Sequence, residues 1–210
     1  DCIDFRMQTL MRLMCAHGDK IREISPYGWD LLEQTFRNAK YWMTEPGEDS
    51  ACYWSENHQM LYAVTEYLAG QLWPDKVFFN DGSTGRERME RAAKRIEAWA
   101  EQRFYHGYAE FNSSNYYLFS IAPAMNFIQF AEGREVLKER LRMSLDLLFY
   151  DIASGIYDYV FQLPNGRAYS YNLAGGDSEC VRKLTNYVWD LNDEHIFSAH
   201  HMLINIVSTL

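Results

Sequence analysis

Cys52-Tyr-Trp-Ser-Glu-Asn-His-Gln-Met60 runs directly into Leu61-Tyr-Ala-Val-Thr-Glu-Tyr-Leu-Ala-Gly-Gln-Leu-Trp73. This stretch decides the fold class. From Asn57 to Trp73 the spacing is helical, and Met60, Leu61, Tyr62, Ala63, Val64, Tyr67, Leu68 and Leu72 leave almost no polar face. A helix that is apolar nearly all round is buried on several sides. Ser55 is the expected N-cap, its hydroxyl accepting an orphan backbone N–H. Glu56 falls in the first turn, where the helix dipole favours an anion. A cap accounts for those two residues and leaves Asn57 and His58 to be explained.

Working outward, helical periodicity extends over most of the chain. A first helix is expected over 2–17. A second starts at Ser25-Pro26, a cap followed by proline at the first helical position, and runs to about Met43. A fourth covers 85–105, with Met89, Ala92, Ile96, Trp99 and Ala100 as its apolar stripe. Its Arg86, Glu87, Arg91, Lys94, Arg95, Glu97 and Glu101 read as a solvated face. A fifth, 115–132, is again apolar nearly all round, with Pro123 marking a kink or a first turn. A sixth covers 133–153. Residues 156–177 read as irregular or partly extended, 178–190 as a short helix, and 194–210 as a last apolar helix.

One-sided helices (second, fourth, sixth) therefore alternate with all-round apolar ones (third, fifth, last). Short connections make consecutive helices antiparallel neighbours. The expected fold is all-α: antiparallel helical hairpins, each with an inner and an outer helix, forming part of an (α/α) toroid of the six-hairpin kind. The whole of 1–210 is taken as a single helical domain. A closed toroid of six hairpins needs about twice this length. The chain starts at Asp1 and ends on the apolar run Ile204-Asn-Ile-Val-Ser-Thr-Leu210. It is read as a piece truncated at both ends, whose remainder packs on the C-terminal helix.

Composition narrows the function classes. In 210 residues the formal net charge is −9, which argues against a nucleic-acid partner, since binding phosphates calls for excess Lys and Arg. No apolar run reaches spanning length, so no membrane insertion is expected. The four cysteines are scattered without a C-x-x-C, which supports neither a zinc site nor a disulfide framework. Gly82-Ser-Thr-Gly85-Arg86 lacks the spacing and the lysine of a phosphate loop. His195, His200 and His201 do not form H-E-x-x-H. Neither a cofactor nor a metal is expected. The compartment stays open between secreted and cytoplasmic.

Helix parity places three polar motifs at one end. Ser55-Glu-Asn-His58 begins the third helix, Glu110-Phe-Asn-Ser-Ser-Asn-Tyr-Tyr117 begins the fifth, and Asn165-Gly-Arg-Ala-Tyr169 precedes the last inner helix. Loops at one end of a rigid scaffold are where sites are carried. The Trp-Ser-Glu-Asn-His run followed by Glu-Phe-Asn-Ser resembles uncharacterised bacterial and fungal proteins of the (α/α) toroid fold. More distantly it is similar to toroid-type polysaccharide lyases, in which an Asn-His pair, a Tyr and an Arg work together. The resemblance covers about residues 50–170. Many of those lyases have Asn-Asn-His where this chain has Glu56-Asn57-His58.

The resemblance implies β-elimination on a uronic-acid polymer or oligosaccharide. Asn57, with Arg167, would stabilise charge developing on the substrate carboxyl group. His58, Tyr117 or Tyr169 would abstract the α-proton, and a tyrosine would protonate the leaving oxygen. Trp54, Tyr116 and Phe111 would stack on sugar faces, with Asn112 in the same cleft. Two alternatives stand beside this. A glycoside hydrolase on the same scaffold would use Glu56 and Glu110 as its carboxyl pair. A non-catalytic scaffold would bind a glycan or a protein, with the polar motifs serving as caps and buried hydrogen-bond networks.

Overall fold

The computed structural model describes residues 2–157, 160–161, 163–173 and 180–189. They form an all-α structure: α1 (Ile3–Ile24), α2 (Pro26–Asn38), α3 (Glu56–Leu72), α4 (Gly85–His106), α5 (Tyr117–Phe130), α6 (Glu135–Ser154), the short α7 (Ser170–Leu173) and α8 (Cys180–Trp189). A two-residue antiparallel hairpin, β1 (Ile156–Tyr157) with β2 (Val160–Phe161), follows α6. The expected last helix, 194–210, lies outside the described residues, and with it the surface on which further chain was expected to pack.

Local chemistry explains most boundaries. Ser25 caps α2, its Oγ accepting the Gly28 N–H at 3.1 Å, with Pro26 at the first helical position. α4 opens on a capping box between Thr84 and Glu87. α1 continues to Ile24, but His17 leaves helical dihedrals (φ −135°, ψ 22°), so the break falls at the expected end. α2 stops at Asn38 rather than near Met43. Tyr41 is buried there, its hydroxyl donating to the Phe36 carbonyl at 2.8 Å and its N–H to Glu45 at 3.2 Å, which takes the chain off the helix. Pro123 lies inside α5 rather than in its first turn. At α3, Ser55 is the N-cap residue, but its side chain makes no capping bond. Its Oγ instead donates to Asn57 Oδ1 at 3.0 Å.

α3 packs against α1, α4 and α5, and α4 packs on α6. Every residue of α3 from Met60 to Gly70 is buried, as is every residue of α5 from Tyr117 to Phe127. Burying a large apolar side chain is worth about 1.5–3 kcal/mol, so these two helices carry much of the core. Polar ties fix their register. Gln8 of α1 donates to the Leu61 carbonyl (2.7 Å) and to Thr65 (2.8 Å), while Arg12 donates to Asn126 of α5 (2.9 Å). The α3–α4 hairpin closes backbone to backbone: a Cβ on Gly85 would lie 2.2 Å from the Trp73 carbonyl oxygen, and one on Gly70 would lie 2.5 Å from that of Gly85.

The charged face of α4 is not simply solvated. Glu66, fully buried in the middle of α3, accepts from Arg88 (3.3 Å), Arg91 (2.6 Å) and Arg95. Arg88, itself fully buried, also reaches Asp81 (2.5 Å) and Glu45 (3.1 Å). A carboxylate with no access to water needs counter-charges, and the polar stripe of α4 supplies them.

Candidate functional site

The first turn of α3, the loop leading into α5 and the segment 163–169 meet at one end of the bundle, joined by the first turn of α1. Glu56 is buried. Its Oε2 accepts from Arg103 of α4 (2.7 Å) and the Ala109 N–H (2.8 Å), and its Oε1 accepts the Glu110 N–H (2.9 Å). That carboxylate anchors the loop. It places Glu110, whose Oε2 accepts from Asn57 Nδ2 at 2.6 Å and whose Oε1 lies 3.0 Å from Arg167 Nη1. Asn57 is buried, its Nδ2 given to Glu110 and its Oδ1 accepting from Ser55.

Arg167 comes from the 163–169 segment, which is pinned by Gly166 N–H to the Phe111 carbonyl (3.0 Å) and by Asn112 Nδ2 to the Pro164 carbonyl (3.1 Å). Its Nη2 donates to the hydroxyls of Tyr116 (3.1 Å) and Tyr169 (2.9 Å), which lie 2.7 Å apart, and its guanidinium sits 4.6 Å from the centre of the Tyr116 ring. Arg167 is exposed, and both tyrosines are half-buried.

His58 is held from another direction. Its Nδ1 lies 2.5 Å from Oδ2 of Asp4, in the first turn of α1, and its ring stacks on Phe5, which stacks in turn on Phe119.

Two expected members do other work. Tyr117 is buried, and its hydroxyl accepts the Asn112 N–H at 2.5 Å, fixing Asn112 in the left-handed region (φ 51°) that asparagine tolerates. Trp54 stays 67% exposed. Glu110, Asn57, Tyr116, Arg167 and Tyr169 thus form one connected cluster. Glu56 anchors it through the backbone, and Asn112 and Tyr117 shape the loop.

The electrostatics separate the two linked phenols. Burial and its hydrogen bond to Tyr169 push Tyr116 up to about 12, while the hydrogen bonds from Tyr116 and Arg167 bring Tyr169 below the ordinary phenol value. Tyr117 is pushed up to about 12, chiefly by burial. Burial also raises Glu110, more than Arg167 and Asn57 lower it.

Asp4 and Arg103 were not anticipated as site residues. Asp4 stands alone among apolar neighbours in Cys2-Ile-Asp-Phe5, which is the signal that would have found it. Arg103 is one arginine among many on α4 and carries no such signal. Among the described residues, no three His, Cys, Asp or Glu side chains group as a metal ion would require. His195, His200 and His201 lie outside the described residues. No family model, no curated protein and no solved structure matches this chain.

Proposed function

We propose that this end of the bundle is a carbohydrate-active site performing β-elimination on uronic-acid polymers, set on part of an (α/α) toroid. The observation that carries the reading is the Arg167 guanidinium holding the Tyr116 and Tyr169 hydroxyls at the exposed edge of the cluster. A guanidinium has five N–H donors in a fixed fork, suited to a carboxylate, and the two tyrosines and Glu110 engage part of that set. Arg167 binds the uronate carboxyl group and stabilises the charge that develops on it. His58 Nε2 takes the proton from the carbon next to that carboxyl group. The C–O bond to the neighbouring sugar breaks, and Tyr169 gives its proton to the leaving oxygen. A phenol with a lowered pKa is the better acid for that step. Tyr169 then regains a proton from solvent and His58 loses one to it.

Asn57 is not assigned to the substrate in this scheme, since its amide is already engaged by Glu110 and Ser55. The hydrolase alternative has less support. Both Glu56 oxygens are already engaged, by Arg103 and by two backbone amides, and its side chain is buried, so neither oxygen is free to reach a glycosidic bond.

The test is a panel of uronic-acid polymers incubated with the full chain, following the ultraviolet absorbance of the unsaturated uronate product. Elimination produces that absorbance, and Tyr169→Phe and His58→Gln abolish it. Sugar release without the absorbance would replace the lyase with a hydrolase. Binding without turnover would leave a glycan-binding scaffold.

A further inference from the structure

We propose that Asp4 is the positioning residue of His58, fixing the imidazole so that Nε2, and not Nδ1, is the nitrogen left with a lone pair. The inference deepens the elimination reading and rests on it for the chemistry, though not for the geometry. The two residues are 54 apart in sequence and meet at 2.5 Å, Asp4 Oδ2 to His58 Nδ1. A carboxylate accepts, so in the neutral ring the proton sits on Nδ1 and the lone pair is on Nε2. The Phe5 ring lies almost parallel to the imidazole (10°, centroids 5.1 Å apart) and Phe119 backs Phe5 at 4.1 Å, so the ring plane is held as well as its tautomer.

The burial of Asp4 argues against a purely structural role. It is 1% exposed, and its Oδ1 has no hydrogen-bond partner among the described residues. A buried carboxylate serving stability has its oxygens satisfied, as Glu56 does with one guanidinium and two amides. Among the described residues, Asp4 has one oxygen without a partner, and the other accepts from a histidine. During turnover His58 Nε2 gains the substrate proton, Nδ1 keeps its own, and the imidazolium is stabilised beside the carboxylate. No proton passes to Asp4.

The experiment uses the full chain labelled with 15N-histidine, with His58 assigned by loss of its signals in His58→Gln. Long-range 1H–15N correlation then reads the neutral tautomer without substrate. The expected result is Nδ1–H in the wild type, lost or mixed in Asp4→Asn. In turnover, Asp4→Asn lowers kcat by about 10²–10⁴-fold with KM unchanged.

A wild-type spectrum with the proton on Nε2 would overturn the proposal, whether or not the variant folds. So would Asp4→Asn losing thermal stability while keeping wild-type kcat and tautomer. If the wild type turns over no uronate polymer, the elimination reading fails, while the tautomer still decides whether Asp4 sets His58.

Discussion

Arg103 of α4 meets Glu56 at the start of α3 across 2.7 Å, with both side chains buried. The pair fastens an outer helix to the loop that carries Glu110. Removing the cation leaves Glu56 with two amide donors and an uncompensated buried charge. Breaking such a pair from one side costs about 3–5 kcal/mol. Arg103→Met is expected to lower the free energy of unfolding in urea by that amount. A loss of a few tenths would show that the two amides suffice to hold the carboxylate.

The α3–α4 hairpin has no room for a methyl group at Gly85, where a Cβ would press on the backbone oxygens of Trp73 and Gly70. Backbone cannot rotate aside as a side chain can. Gly85→Ala should destabilise the chain by about 1–3 kcal/mol, the usual cost of overpacking. The thermal midpoint would report it.

In the proposed elimination, the pH dependence follows from Tyr169. As the acid, it is active while protonated, so the rate falls as pH rises through its pKa. Hydrogen bonds from Tyr116 and Arg167 place that value below the ordinary phenol, so the alkaline limb lies below about pH 10. Tyr116→Phe removes the larger of the two effects. Its alkaline limb should move to higher pH. A pH–rate profile of kcat for both proteins checks the sign, and an unmoved limb would mean that another group donates the proton.

Asp81 supplies a contrasting case. Burial opposes its ionisation, but its hydrogen bonds from Ser83 and the guanidinium groups of Arg91 and Arg88 outweigh that, and its carboxyl is held well below the usual range. A depressed carboxylate stabilises the fold above its unfolded value, and that stability is lost as pH falls through its folded value. Acid denaturation of Asp81→Asn should therefore show a shallower loss of thermal midpoint below about pH 4 than the wild type.

The helical architecture was open to reading because apolar residues in α3 and α5 leave no polar face, which is a property of spacing alone. The Glu110 loop and the Arg167 segment do meet, but the helix whose parity placed that segment at this end, 194–210, lies outside the described residues. Partners were less accessible. Ser55 has the composition of a cap, but its side chain is directed to Asn57 and makes no capping bond. Arg91 and Arg95 sit on a stripe that helical periodicity assigns to water, and nothing local reveals that Glu66 lies buried opposite them. Asp4 and His58 are brought together by the packing of α1 on α3, which no window of sequence contains.

The Glu56 anchor also apportions mobility. The N–H groups of Ala109 and Glu110 are closed onto a buried carboxylate, so their exchange with deuterated solvent requires those bonds to open. The opposite wall is tied through Gly166 N–H, Asn112 Nδ2 and the hydroxyls around an exposed arginine. The proposed site thus rests on one side on a buried ion pair and on the other on hydrogen bonds through an exposed arginine.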